Sequence, residues 1–136
     1  MKRIGLFILI LCLSLCGCSK KNAMEGNWVT VALLKDGQEQ KLLDSNISFK
    51  AVGTNYNAKG LAGVNLFSVF VENKGKTISA YGMQNTGFMG APDEMKYEDM
   101  FFNAFINSDS YKIKNDILYF YNSEKNLELR LQKQVE

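Results

Sequence analysis

The sequence predicts an α+β domain: a curved antiparallel β-sheet of about seven or eight strands, forming a partly closed barrel, with one helix packed on it. Short segments rich in β-branched and aromatic residues recur along the chain, and tight-turn sequences separate them. Strands joined by tight turns pair antiparallel. A single segment, late in the chain, has apolar residues at helical spacing. A length of 136 residues fits one domain, so we expect the helix and strands to share one core.

Four strands are predicted in the first half of the domain from alternating or β-rich segments. They span 27–34, 47–52, 66–72 and 77–83. Asp36-Gly37 is a hairpin signal, because both residues tolerate the positive φ angles of a two-residue turn. Residues 53–63 are rich in glycine and asparagine. This segment is therefore expected to be mostly loop, with a short strand around Tyr56.

The helix is predicted to begin at Pro92, because the first turn does not need the N–H that proline lacks. Asp93 and Glu94 then place negative charge where it interacts favourably with the helix dipole. The residues at helical spacing on one face are Met95, Glu98, Phe102, Phe105 and Ile106. The helix is expected to end near residues 107–108. Three further strands are predicted at 111–114, 117–121 and 127–131.

Residues 1–17 have the pattern of a secretory signal peptide. Lys2 and Arg3 precede an apolar run at 4–13, which is shorter than the about 20 residues that cross a bilayer. The sequence Leu15-Cys16-Gly17-Cys18-Ser19 then resembles the bacterial lipobox, with a small residue before the modified cysteine. We therefore expect cleavage before Cys18, lipidation of Cys18 by acyl chains such as palmitate, and a short tether over 18–25. An uncleaved anchor and an ordinary secretion signal are the alternatives.

Lipidation of Cys18 would anchor the domain to a membrane of the cell envelope, since several acyl chains hold a bilayer firmly. Ser19 follows the cysteine, and no Asp occupies that position. In a Gram-negative cell this pattern predicts the outer membrane, with the domain facing the periplasm.

Composition narrows the chemistry that the domain can perform. The sequence contains no His, the commonest general base and metal ligand. Lys+Arg number 16, and loss of Lys2 and Arg3 with the signal would leave 14 against 14 Asp+Glu. A neutral domain gives no electrostatic reason to bind nucleic acid. Cys18 would be the last cysteine and its thiol would become a thioether on lipidation, so no catalytic residue, metal or cofactor is predicted.

Three segments resemble the signature motifs of one protein family. Residues 60–67 (GLAGVNLF) resemble the pattern G-x-x-G-C-N-x-F. Residues 86–90 (TGFMG) resemble T-x-M-x-C, and a helix with Glu98 before an aromatic pair follows, as in the family. Residues 111–118 (YKIKNDIL) resemble Y-x-I-x-G-x-x-L. The family that these three motifs resemble is the META domain family of HslJ-like bacterial lipoproteins. The resemblance predicts a META domain over 26–133.

Val64 and Gly90 stand where many members of that family have cysteine. The loss of both is consistent with a disulfide replaced by packing. The resemblance implies a small β-rich envelope domain with one helix, often linked to stress tolerance. It implies no enzymatic activity.

The family-signature residues are expected to have structural roles; they are Gly60, Gly63, Asn65, Thr86 and Glu98. An Asn beside glycines most often bonds nearby backbone, although its amide can also meet a ligand. The carboxylate of Glu98 is expected to accept N–H groups from the 86–90 loop. The alternative is a buried general acid.

An aromatic set offers a second candidate site, an apolar pocket lined by Phe67, Phe70, Phe102 and Phe105. The alternative is that these rings fill the core. The favoured hypothesis is a non-catalytic envelope lipoprotein, a structural or protein-interaction module whose partner is another envelope protein. The second is a binding protein that holds a small apolar ligand or lipid between sheet and helix. The third is an enzyme that uses carboxylates alone.

Overall fold

The computed structural model describes residues 22–135, and the predicted signal peptide and Cys18 lie outside that range. Six strands, one helix and three further strands follow one another along the described chain. Their bounds are β1 Gly26–Lys35, β2 Gln38–Glu39, β3 Ser45–Val52, β4 Asn55–Ala62, β5 Leu66–Asn73, β6 Ile78–Asn85, α1 Pro92–Phe105, β7 Ser110–Lys114, β8 Ile117–Asn122 and β9 Leu127–Lys133. This is the predicted α+β class, and every predicted strand is present.

All strand pairs are antiparallel, in the order β6-β5-β4-β3-β1-β9-β8-β7, and the two-residue β2 pairs with β1 alone. The eight long strands curl into a half-barrel. The backbone N–H of Tyr111 on β7 donates to the carbonyl of Lys76, just before β6, at 3.0 Å. The Tyr111 hydroxyl also donates to Asn73 Oδ1 at 2.8 Å. These two bonds bring the ends of the sheet together at one corner, so the partly closed barrel is confirmed.

Two hairpins have turns with positive φ at both central residues. Asp36 and Gly37 have φ angles of 52° and 76°, and Asn115 and Asp116 have 53° and 61°. This geometry matches the right-handed twist of antiparallel strands. The hairpin predicted at Asp36-Gly37 is therefore confirmed.

The expectation that residues 53–63 are mostly loop is wrong, because β4 occupies Asn55–Ala62. Gly60 lies inside this strand, in register with Ile47 on β3 and Phe67 on β5. A Cβ at position 60 would overlap the backbone carbonyl oxygen of Asn46. Glycine therefore stands here because two strand backbones approach closely, and not because the chain turns.

The helix α1 packs against β4, β8 and β9. Its buried residues are Tyr97, Glu98, Phe101, Ala104 and Phe105. The predicted face is therefore rotated: Phe101 is fully buried, whereas Met95, Phe102 and Ile106 are half-buried. Between residues 22 and 135, no helix is long and apolar enough to span a membrane.

Candidate functional site

A buried hydrogen-bonded pair joins the β4–β5 turn to the helix. Asn65 lies just before β5 and Glu98 lies on α1, and both are more than nine-tenths buried. The Asn65 backbone N–H donates to Glu98 Oε2 at 2.9 Å. Its side-chain Nδ2 donates to Oε1 and Oε2 at 2.9 and 3.1 Å. Both carboxylate oxygens thus accept hydrogen bonds, which offsets the cost of burying a charged group.

The same Asn65 side chain holds the loop between β6 and α1, residues 86–91. Its Oδ1 accepts the Thr86 hydroxyl at 2.8 Å and the Phe88 N–H at 2.6 Å. Its Nδ2 also donates to the Phe88 carbonyl at 2.9 Å. The expectation that Glu98 accepts the loop N–H groups directly is therefore wrong. The carboxylate orients Asn65, and Asn65 binds the loop.

Close packing surrounds this pair. Gly63 has φ 87°, and a Cβ there would lie 3.1 Å from the Tyr97 ring and 3.2 Å from a methyl of Leu43. A Cβ on Gly90 would lie 2.8 Å from Val64 Cγ2. The two positions where the family often has cysteine are thus in contact, and a valine methyl occupies the space between them.

The loop presents two apolar side chains to solvent. Phe88 is 66% exposed and Met89 is 85% exposed. Leu66 and Met83, at the adjoining ends of β5 and β6, are also exposed. Sequence reasoning missed this surface, because an apolar pair is ordinarily assigned to a core. We call Phe88 and Met89, with the loop that carries them, the apolar loop.

Comparison with known proteins assigns the chain to a family. The META domain family model matches residues 21–135. The chain belongs to the META domain family. An NMR structure of a protein from Burkholderia xenovorans is similar, with a TM-score of 0.65 over 82% of this chain and 83% of that one. The two share 15% sequence identity, so the likeness concerns the fold alone. No curated protein matches the chain.

The four phenylalanines proposed as a pocket do not share one face of the META domain. Phe67 and Phe105 are buried, and their ring centroids lie 6.1 Å apart. Phe102 packs edge-to-face on Phe67 at 5.3 Å, and Phe105 lies 5.0 Å from Phe120. Phe70 is three residues from Phe67 on β5, so it points to the opposite face of the sheet. The rings of Phe67, Phe102 and Phe105 therefore fill the space between sheet and helix by packing on one another.

A second polar contact joins the helix of the META domain to the sheet. The hydroxyls of Tyr97 and Ser45 lie 2.6 Å apart, and Tyr97 also donates to the Leu43 carbonyl at 3.3 Å. Burial raises the pKa of Tyr97 above its ordinary value of 10.0. The neutral phenol is therefore the form that the fold requires.

The potential metal ligands and the Glu98 carboxylate can each be traced in the described residues. Glu98 Oε1 and Oε2 both bond to Asn65, and among residues 22–135 no three potential metal ligands cluster. The arrangement can fix a loop in place, since hydrogen bonds run from Glu98 through Asn65 to Thr86 and Phe88. Gly60 lets the backbone of Asn46 approach closely, and Gly63 lets the side chains of Tyr97 and Leu43 do so.

Met24 packs at the end of the sheet opposite to the apolar loop. Met24, within the predicted tether, is buried, and its N–H donates to the Tyr56 hydroxyl at 3.3 Å. Among the described residues, packing into the core therefore includes Met24, two residues before β1. Tyr56 pairs with Val71, six residues beyond Asn65. At about 3.3 Å per residue, the level of Tyr56 and Val71 lies about 20 Å along the strands from the level of Asn65.

Proposed function

We propose that this META domain is a non-catalytic, lipid-anchored module of the cell envelope that docks on another envelope protein through its apolar loop. One observation carries the proposal. The apolar loop is a fixed apolar projection. Three hydrogen bonds from Asn65 hold it, Glu98 holds Asn65, and the side chains of Phe88 and Met89 are exposed.

A fixed projection suits recognition. An unrestrained loop would lose conformational entropy on binding, whereas a loop already held by hydrogen bonds loses less. Phenylalanine and methionine are enriched at the centres of protein interfaces. Exposed apolar side chains that adjoin one another also mark interaction sites more often than scattered ones do.

The position of the loop favours a protein over the lipid surface as the partner. The predicted anchor is Cys18, only six residues before Met24, and Met24 packs about 20 Å from the level of Asn65. A domain held close to the membrane by that segment would direct its opposite end, with Phe88 and Met89, away from the bilayer. In a Gram-negative cell the loop would face the periplasm from the outer membrane, where a role in stress tolerance fits the family resemblance.

Site-specific photocrosslinking of the full chain tests the proposal. A photoreactive residue replaces Met89 in one variant and Val52 in another, and both are expressed with the native signal in the source cell. Val52 is the matched control because it is also an exposed apolar residue, at the β3–β4 turn. We expect a discrete protein adduct at position 89, absent at position 52 and lost when Phe88→Ser is added.

Three results would contradict the proposal. Equal crosslinking at both positions would mean non-specific contact. Adducts with lipid at position 89 would assign the loop to the membrane. Mass spectrometry that finds an intact 1–17 segment, or an unmodified Cys18, would remove the anchor.

A further inference from the structure

The outer face of the sheet carries a groove that is separate from the apolar loop. Strand register places Lys50, Asn57, Phe70 and Tyr81 in one row across β3, β4, β5 and β6. Lys59 lies in the adjoining row, paired with Ser48 and Ser68. These side chains line a depression of about 480 Å³, a size in the range of small-molecule sites.

The depression arises from an irregularity of β6. The register with β5 shifts between Ser68 and Phe70, and Gly82 adopts φ 66° beside it. A bulge with a glycine of positive φ bends its strand and increases the local twist. Apart from its chain neighbours Tyr81 and Met83, no described residue has an atom within 4 Å of where a Gly82 Cβ would be, so the bend leaves open space above Gly82.

The charge in this groove has one sign. Lys50 and Lys59 are the charged residues of the lining, and both are exposed. In the part of the chain that the structure describes, the one ion pair is Arg130–Glu128, so neither lysine is paired with a carboxylate. The groove therefore has electrostatic complementarity to an anion.

The remaining groups favour a ring-shaped polar ligand. Tyr81 is half-exposed and Phe70 half-buried, so they offer flat apolar surface. Asn57 and Gln84 offer amides, and serine hydroxyls lie in the adjoining row. Aromatic faces match the C–H face of a pyranose, amides match its hydroxyls, and the lysines match a carboxylate.

We propose that this groove binds an acidic oligosaccharide, with Tyr81 and Phe70 against the sugar rings and Lys50 and Lys59 on its carboxylates. The site is independent of the apolar loop and of the lipid anchor.

Calorimetric titration of the full-length protein in neutral detergent tests the proposal with three probes. Trigalacturonate has rings and carboxylates, galactotriose has the rings alone, and inorganic phosphate has the charge alone. We expect trigalacturonate to bind at least about tenfold more tightly than either of the others. Binding should weaken as salt is raised from about 0.05 to 0.5 M, because the lysines are exposed.

Substitutions inside and outside the groove test whether trigalacturonate binds there. Lys50→Gln with Lys59→Gln should weaken trigalacturonate binding about tenfold, since each exposed pair contributes about two- to fivefold. Tyr81→Ala should weaken it by a similar factor. The matched control is Lys74→Gln with Lys114→Gln, which removes the same charge from exposed positions outside the groove and should leave binding unchanged.

Any of three results would overturn the proposal. They are no binding of trigalacturonate at millimolar concentration, equal binding of phosphate, and equal loss in the control and groove variants. Unchanged melting temperatures of all variants would show that a loss of binding is local.

Discussion

Asn65→Asp is the substitution that most sharply tests the buried pair. It keeps the size of the side chain but replaces the Nδ2 donor, 2.9 and 3.1 Å from the Glu98 oxygens, by a carboxylate oxygen. Two carboxylates at this distance cannot both stay ionised in a buried site, so the folded variant must take up a proton.

The expected cost follows from that proton. The ordinary pKa of a carboxyl is about 4, and holding a proton at pH 7 costs about 1.4 kcal/mol for each of about three pH units, or about 4 kcal/mol. Loss of the hydrogen bond from Nδ2 to the Phe88 carbonyl adds about 1 kcal/mol. This total is a large fraction of the stability of a small domain.

The pH dependence has a definite sign. Near pH 7 the folded variant binds one proton more than its unfolded chain, so its free energy of unfolding falls as pH rises and grows as pH falls. The difference from the native protein should shrink from about 5 kcal/mol at pH 7 to about 1 kcal/mol at pH 4.

Urea unfolding followed by Trp28 fluorescence measures this difference. Trp28 is the single tryptophan and is fully buried, so its emission reports global unfolding. Asn46→Asp, an exposed position on β3, is the matched control and should change stability by less than about 0.5 kcal/mol. A destabilisation by Asn65→Asp that does not vary between pH 4 and 7 would refute the reasoning.

Three further predictions concern the sheet, the core and alkaline pH. Gly60→Ala should lower stability by at least about 2 kcal/mol, because the new Cβ meets the backbone of Asn46; an unchanged melting temperature would contradict the close approach. Phe105→Ala should lower the free energy of unfolding in urea by about 3–5 kcal/mol, and Phe70→Ala should lower it much less, because of these two rings Phe105 is the fully buried one. Equal losses of stability would contradict the assignment of the two rings to opposite faces. Burial raises the pKa of Tyr56 and Tyr97, so the stability they contribute is complete below pH 10 and is lost as pH rises above it. Above pH 10, Tyr97→Phe should reduce the fall of the free energy of unfolding by about 1.4 kcal/mol per pH unit. Denaturation followed by circular dichroism at several alkaline pH values measures that slope, and an unchanged slope would show that Tyr97 ionises freely when folded.

Local signals in the sequence predicted much of the fold because the chemistry they report is local. Asp36-Gly37 accepts positive φ, and Pro92 fits the first turn of a helix, in any tertiary context. Gly60 misled the assignment of β4 because its reason lies on another strand, at Asn46. The adjacent Phe101 and Phe102 fit the helical period almost equally well, and only packing against the sheet decides that Phe101 is buried.

The candidate site was predictable only in part. The family resemblance pointed to Asn65 and Glu98, but a contact across 33 residues leaves no local signal of which side chain binds which. The exposure of Phe88 and Met89 was not predictable either, since apolar residues are usually buried. Their exposure follows from bonds made by the loop backbone, which do not depend on those side chains.

Amide hydrogen exchange of the apolar loop tests most directly whether the buried pair fixes it. The Phe88 N–H bonds to Asn65 Oδ1 at 2.6 Å, although the Phe88 side chain lies in solvent. We predict strong protection of the Phe88 amide in the native protein and its loss in Asn65→Ala, with core amides such as that of Leu129 still protected. A Phe88 amide that exchanges in the native protein at the rate of an unstructured chain would contradict the account.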